Sequence, residues 1–230
     1  LPISYNSIKT IDYTINGLLK QSKQELIREI IIIDSSDDDV SHEFLKSKQN
    51  DIIRVHRSGY RVMPAIQRNI GAKLATGKLL CFIDSDAFPE YNWIESIVDV
   101  YDKGTLAGGG SYKIPHFQQS NPIAYAQYFL EFSEFIGFGK PRIKDRFPSC
   151  NLFCDRELFV KVGGFPPIRA SEDSLFGIET SKYTNMVFFP SIAVCHIFRE
   201  TPGHFLSNQK LLGKYIYIFR RKAYDSFYLK

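Results

Sequence analysis

Two carboxylates one residue apart, Asp84 and Asp86, close the apolar run Leu79-Leu80-Cys81-Phe82-Ile83, with Ser85 between them. A buried strand that ends this way delivers both acids to the rim of a parallel sheet, where open α/β folds bind ligands. Residues two apart on an extended backbone point the same way, and such a pair suits a hard divalent cation that is also held by the phosphates of a substrate. Glu172-Asp173 is a second acidic pair, unremarkable by itself, set between Gly163-Gly164-Phe165 and Leu175-Phe176. Asp34 ends another apolar run and, on its residues alone, reads as a loop-capping aspartate. His196 follows the apolar stretch ending at Cys195; a neutral imidazole there ligates Mn²⁺ only if its strand returns beside Asp86.

The elements that must position these groups are legible as alternating patterns. Ser7 can cap a helix with Ile8, Ile11, Ile15, Leu18 and Leu19 on one side. A short strand from Glu29 to Ile33 leads to Asp34, and Asp34 to Asp39 is a loop by composition. Ile52, Ile53 and Val55 mark a strand; Met63, Ile66, Ile70 and Leu74 mark a helix, with Gly77 as its C-cap. The strand from Leu79 to Ile83 is followed by a helix carrying Trp93, Ile94, Ile97, Val98 and Tyr101. This succession predicts an α/β fold with a doubly wound sheet. The alternation breaks at Gly108-Gly109-Gly110. Beyond it come an aromatic helix from Pro122 to Ile136, a loop from Gly137 to Arg146, and a helix capped by Asp155 and stopped by Gly163-Gly164. Two late strands flank Pro190, and a basic, aromatic helix ends the chain.

At 230 residues, 44% apolar and 23% charged, the chain buries a substantial core. No stretch reaches the roughly 18 continuous apolar residues of a spanning helix. Cys81, Cys150, Cys154 and Cys195 match no zinc spacing and are expected to be reduced core thiols of a cytoplasmic protein. The sequence begins Leu1-Pro2, which reads as a first strand largely missing. From Arg199 onward seven lysines and arginines face two acids. Interleaved with Leu211 to Phe219, they suit a phosphate-rich surface, peripheral contact of 205–230 with an anionic membrane on its cytosolic face, a second copy in a homodimer, or the domain's own core. No separate feature calls for nucleic acid.

Taken in order, these residues resemble the family 2 glycosyltransferases and their GT-A fold, a mixed doubly wound sheet flanked by helices. The likeness covers Pro2 to about Tyr215. It is carried by Leu1 to Asn6, Ile31-Ile32-Ile33-Asp34, Gln67-Arg68-Asn69-Ile70-Gly71, Phe82 to Asp86, Cys150-Asn151, Gly163-Gly164-Phe165, Glu172-Asp173 and His196 with Arg199. The resemblance implies a nucleotide-sugar-binding half over 1–110, an acceptor and catalytic-base half over 111–200, and the helical segment 201–230. It implies inverting, metal-dependent transfer from a nucleotide-diphospho-sugar to a glycan, polysaccharide or lipid-linked acceptor. Asp173, beside Glu172, would be the general base. Asp86, with His196 and Asp84, would hold Mn²⁺ or Mg²⁺.

The same resemblance places Asp34 against the nucleobase in a pocket walled by Pro2, Ser4, Tyr5 and Asn6. Ser35 and Ser36 replace the acidic and glycine residues common there. Arg61, Arg68, Asn69, Ser85 and Asn151 would line the donor site, while Arg57, Asp155 and His204 are weaker candidates. The absence of a Gln-x-x-Arg-Trp motif favours adding one sugar per encounter. A non-catalytic binding module of the same fold and a sugar nucleotidylyltransferase remain as alternatives, although the glycine-rich opening of the latter is missing. A dinucleotide-binding dehydrogenase is disfavoured, since no G-x-G-x-x-G follows a strand.

Overall fold

The computed structural model describes residues 1–228. The first half contains β1 (Pro2–Ser4), α1 (Ile11–Leu19), β2 (Ile30–Asp34), α2 (Asp39–Ser47), β3 (Ile53–Arg57), α3 (Pro64–Leu74), β4 (Leu79–Asp84), β5 (Ala87–Pro89) and α4 (Trp93–Asp102). The second contains β6 (Ala107–Lys113), α5 (Pro122–Phe132), β7 (Arg142–Ile143), β8 (Leu152–Asp155), α6 (Arg156–Val162), α7 (Glu172–Thr180), β9 (Val187–His196) and α8 (Pro202–Tyr228).

Ile30 to Ile33 are all buried, as befits a strand covered by helices on both faces. β3, β2, β1 and β4 lie side by side and parallel, with Ile3 opposite Ile33 on one flank and Asp84 on the other. β8 then runs antiparallel between β4 and β6, so one sheet joins the two sequence halves. The order is β3-β2-β1-β4-β8-β6-β9-β5, with β7 also paired to β9. This is the mixed, helix-flanked GT-A nucleotide-sugar fold. Its parallel half brings Ser4, Asp34 and Asp84 to the carboxyl edge together. A cavity of about 310 Å³ at the opposite ends of β2 and β4, lined by Leu1, Ile30, Leu79, Cys81 and Trp93, is remote from that edge.

Several local expectations need correction. α1 starts at Ile11, and Ser7 bonds Ser4 Oγ through its own hydroxyl (2.7 Å) rather than capping a helix. α3 ends with an extended Ala75, so Gly77 is not its cap. The acidic run opens α2, whose cap is Asp38 accepting from Ser41 N–H at 2.6 Å; its aspartates read as loop because each favours non-helical backbone except at a helix start. Gly108-Gly109-Gly110 lies inside β6, where a Cβ on Gly110 would overlap the Ile192 carbonyl. Pro190 does not split the late strands: β9 is continuous and absorbs the irregularity as a register shift opposite Gly110/Ser111. β7 interrupts the loop expected from Gly137 to Arg146. Gly163, at φ 91°, does cap α6 as expected. All four cysteines are free thiols, three of them buried.

An aromatic cluster fixes the second half against the first. Phe165 meets Phe82 of β4 edge-on (centroids 5.1 Å), Phe159 of α6 (5.5 Å) and Phe176 of α7 (4.7 Å). Each pair contributes on the order of 1 kcal/mol beyond area burial. Together they seat the start of α7, and with it Glu172-Asp173, beside the end of β4.

Candidate active site

Arg68, on α3, is the electrostatic centre of this region. Its Nη2 donates to Asp84 Oδ1 (2.6 Å) and its Nη1 to Glu172 Oε1 (2.8 Å), with the guanidinium almost wholly buried. Burial opposes that charge, but Asp84 and Glu172 outweigh it and raise the guanidinium above its ordinary range. Burial, then the adjacent Asp173, pushes Glu172 up to about 7, and Arg68 pulls it back. The pair joins the strand-end acids to the α7 acids.

Ser171 starts α7 at φ 65°, a left-handed backbone that non-glycine residues seldom adopt. This turn leaves Asp173 with two backbone donors: Ser174 N–H at 2.7 Å and Ser149 N–H at 3.1 Å. Burial raises the Asp173 carboxyl, opposed by Arg68 and then by those two N–H groups. Asp173 opens onto a cavity of about 220 Å³ lined also by Leu130, Glu134, Phe135, Arg146 and Phe147. A carboxylate at a cavity wall whose proton affinity is raised by burial is equipped, in its ionised form, to accept a proton from a bound hydroxyl.

Asp86 and His196 do converge. His196, at the end of β9, places Nε2 3.7 Å from Asp86 Oδ1, and Arg199 Nη1 lies 3.7 Å from Asp86 Oδ2. β5 creates the approach by pairing Ala87 with His196. Asp84 faces Arg68 instead, and no group of three His, Cys, Asp or Glu side chains suited to a metal exists among the described residues. The expected set of Asp86, His196 and Asp84 is therefore not gathered into one cluster. His196 and Asp86 still offer a nitrogen and an oxygen donor. His196 Nδ1 is buried without a hydrogen-bond partner, and Asp86 is about one-third exposed. Such a pair fits Mn²⁺ or Mg²⁺ whose other ligands are phosphate oxygens and water.

At the far end of the rim, Asp34 is fully buried and already engaged. Oδ1 accepts from Ser36 N–H (3.0 Å) and Ser36 Oγ–H (2.6 Å), and Oδ2 lies 3.1 Å from His42 Nδ1. The loop-capping role is thus present, and His42 is a partner that the sequence did not disclose. Tyr5 donates to Asp37 Oδ2 (2.5 Å) and carries the Arg61 guanidinium 4.1 Å above its ring, which brings Arg61 to this end of the rim. Asn6, at φ 48°, accepts from Asp37 N–H through Oδ1 (3.1 Å). Pro2 and Ser4 are buried in β1, where the Ser4 carbonyl accepts from Gln67 Nε2 (2.8 Å) and Ser35 N–H (2.9 Å).

Asn151 is tied into the core: Oδ1 accepts from Trp93 Nε1–H (2.8 Å), and Nδ2 donates both of its hydrogens, to the Ser111 and Ile192 carbonyls (3.0 and 2.9 Å). Asn69 likewise clamps Phe165, accepting from its N–H (2.9 Å) and donating to its carbonyl (2.8 Å). Ser85 sits half-buried in the turn between Asp84 and Asp86. Arg57 pairs with Asp39 (2.8 Å), and Asp155 caps α6, accepting from Leu158 N–H (2.9 Å). His204 lies in the first turn of α8. Gln118 and Gln127 escaped the sequence reading although they hold the Phe198-Arg199 backbone at 2.8–2.9 Å. Isolated glutamines carry no pattern that would reveal such bonds.

A strand edge presenting Asp34, Asp84 and Asp86, closed by a second half that supplies an acidic helix start, defines a nucleotide-sugar fold of the GT-A type. The profile of Glycosyl transferase family 2 matches residues 3–163, and the chain belongs to that family. A Haloferax volcanii protein, glucosyl-dolichyl phosphate glucuronosyltransferase, is 26% identical over 168 residues, covering 70% of this chain and 53% of that protein. Glycosyltransferase AglE of the same organism is 22% identical over 215 residues, covering 91% of this chain and 69% of its own length. The chain thus spans about half of the first of these relatives.

Two solved structures share the fold. GalNAc-T7 with UDP, GalNAc and Mn²⁺ superposes at a TM-score of 0.70 with 18% identity, covering 86% of this chain and 43% of that one. Staphylococcus aureus TarS 1–349 with UDP-GlcNAc gives 0.66 with 19% identity, covering 90% and 59%.

Proposed function

We propose that this chain is an inverting glycosyltransferase that moves one sugar from a nucleotide-diphospho-sugar to a hydroxyl of a glycan, polysaccharide or lipid-linked acceptor. The observation that carries the reading is the Asp173 carboxylate, held by two backbone N–H groups at a cavity wall and tied through its neighbour Glu172 to Arg68 and Asp84. In the proposed step Asp173 takes the acceptor hydroxyl's proton, the oxygen bonds to the anomeric carbon, and the bond from that carbon to the diphosphate breaks. The nucleoside diphosphate leaves, and configuration at the anomeric carbon inverts.

Asp86 and His196 would hold Mn²⁺ or Mg²⁺, which when bound supplies positive charge to the leaving diphosphate. Arg68 holds Asp84 and Glu172 in place, and Arg61 on Tyr5 contributes positive charge on the nucleobase side. Relatives crystallised with UDP and Mn²⁺ or with UDP-GlcNAc, and a relative named for a dolichyl phosphate acceptor, support the classes of donor, ion and acceptor.

The test is a panel of nucleotide sugars and acceptors with NMR assignment of the product's anomeric configuration. Asp173→Asn should lower turnover by roughly 10²–10⁴-fold while donor binding by calorimetry stays near wild type. Retention of configuration would overturn the single-displacement reading. Donor binding with no transfer to any acceptor would leave a binding module of the same fold.

A further inference from the structure

Between β9 and α8 runs a short strap, Ile197 to Glu200, that belongs to neither helix nor strand. Its backbone groups find partners far away in sequence, as peptide groups inside a protein must. Ile197 N–H donates to the Asp86 carbonyl (2.7 Å). Gln118 brackets Phe198: Oε1 accepts from the Phe198 N–H (2.8 Å) and Nε2 donates to its carbonyl (2.9 Å). Gln127 Oε1 accepts from Arg199 N–H (2.8 Å), and Asn121 Nδ2 donates to the Glu200 carbonyl (3.2 Å). Both glutamines are buried, each 1% exposed. Gln127 is held in turn from α8. Its Nε2 donates to Glu131 Oε1 (3.1 Å), which also accepts from Asn208 Nδ2 (3.0 Å) and Gln209 Nε2 (2.6 Å).

This strap bears on the orientation of His196. A histidine that ligates a metal ordinarily donates its other ring nitrogen to a fixed acceptor, and that bond sets the plane of the ring. His196 Nδ1 is buried and has no such partner among the described residues. Its ring packs instead against two aromatic rings, with the Phe198 centroid at 4.8 Å and the Phe132 centroid at 5.2 Å. Phe198 is buried and meets Phe132 and Tyr128 of α5 edge-on, each at 5.8 Å. Packing therefore does for His196 what a hydrogen bond ordinarily does, and the amides that seat Phe198 control that packing.

We propose that Gln118 and Gln127 are positioning residues: by seating the strap they hold Phe198 against His196 and so turn the imidazole toward Asp86. The proposal rests on the reading of Asp86 and His196 as the holders of Mn²⁺ or Mg²⁺. Gln118 acts on Phe198 directly, through both of its backbone groups. Gln127 acts one residue further on and ties the seat to the start of α8 through Glu131.

The experiment compares wild type with Gln118→Met and Gln127→Met, which keep side-chain length but remove the amide, and with Phe198→Leu, which removes the ring. Mn²⁺ is titrated calorimetrically in the presence of UDP or GDP, and each nucleotide is titrated again in EDTA. Partners that orient a metal ligand typically carry about 10–100-fold in metal affinity, so all three variants should lose Mn²⁺ affinity on that scale. Nucleotide affinity in EDTA should stay within a few-fold of wild type. A second readout needs no metal. The imidazole proton signals of His196, identified by their loss in His196→Gln, are displaced by the neighbouring rings and should move toward ordinary values in all three variants. Wild-type Mn²⁺ affinity in the variants, equal losses with and without Mn²⁺, or unmoved His196 signals would overturn the proposal. If a glutamine variant fails to fold, Phe198→Leu decides the same question. Moved His196 signals with no Mn²⁺ binding by wild type would uphold the positioning role and overturn the metal reading instead.

Discussion

Arg68 and Glu172 lie 104 residues apart in sequence and 2.8 Å apart in space, Nη1 to Oε1, inside the protein. Through the same guanidinium Glu172 is joined to Asp84, so the acids of the two halves share one counter-charge. Arg68 is a positioning residue: it sets the α7 start that presents Asp173. Arg68→Met would leave the buried Glu172 and the partly buried Asp84 without their counter-charge, a loss of up to roughly 3–5 kcal/mol. Denaturant unfolding measures that loss. Arg68→Lys, which restores charge without the fork, should recover stability more fully than turnover. Equal stability of wild type and the Met variant would refute this account.

Among the described residues the Asp86 carboxylate makes only 3.7 Å approaches to His196 and Arg199. Its backbone carbonyl, which accepts from Ile197 N–H at 2.7 Å, survives substitution, so loss of the side chain should cost the fold little. Asp86→Ala is expected to keep its thermal midpoint within a few degrees and to lose transfer by orders of magnitude. It should also lose Mn²⁺-dependent binding of a nucleoside diphosphate in titration calorimetry. Full transfer by this variant in EDTA would sink the metal assignment.

Glu172 supplies a pH signature. Its carboxyl rises from an ordinary 4.5 to about 7 on folding, chiefly through burial and then through Asp173. Between those values the folded chain binds more protons than the unfolded one, so stability falls as pH rises across the window. Chemical denaturation from pH 4.5 to 7 should show that slope, and Glu172→Gln should flatten it. Asp173 is raised as well, so the acid limb of turnover should lie above the range of an ordinary aspartate.

Asn151 separates structure from catalysis. Asn151→Leu strands the Trp93 indole N–H and the Ser111 and Ile192 carbonyls in the core, at about 1–3 kcal/mol for each buried group left unpaired. Thermal denaturation should show a clear loss, while calorimetric donor affinity of the folded fraction stays within a few-fold of wild type. A large loss of donor affinity at full stability would return Asn151 to the donor site.

Local rules made much of this protein readable in one dimension. The four isoleucines before Asp34 and the run before Asp84 read as short buried strands between turn signals, with their terminal acids at the sheet edge. The order of those acids with Glu172-Asp173 and His196 carried the family. What failed locally failed for a reason that lies in packing. Gly108 to Gly110 are glycines because a neighbouring backbone touches them, which looks like a break until β9 is in place. The acidic run hid α2 because its aspartates favour loops unless they start a helix.

The division of labour within the site was decided by tertiary structure alone. Asp84 and Asp86 are equivalent as residue types two apart. Only the arrival of α3 gives Asp84 an arginine, and only the β5–β9 pairing gives Asp86 a histidine. Likewise, nothing local distinguishes Asn151 as a core clamp or Asp34 as the partner of His42. A side chain's chemistry is fixed by its type, but its role depends on which distant groups share its desolvated surroundings. Those groups are brought together by the sheet order.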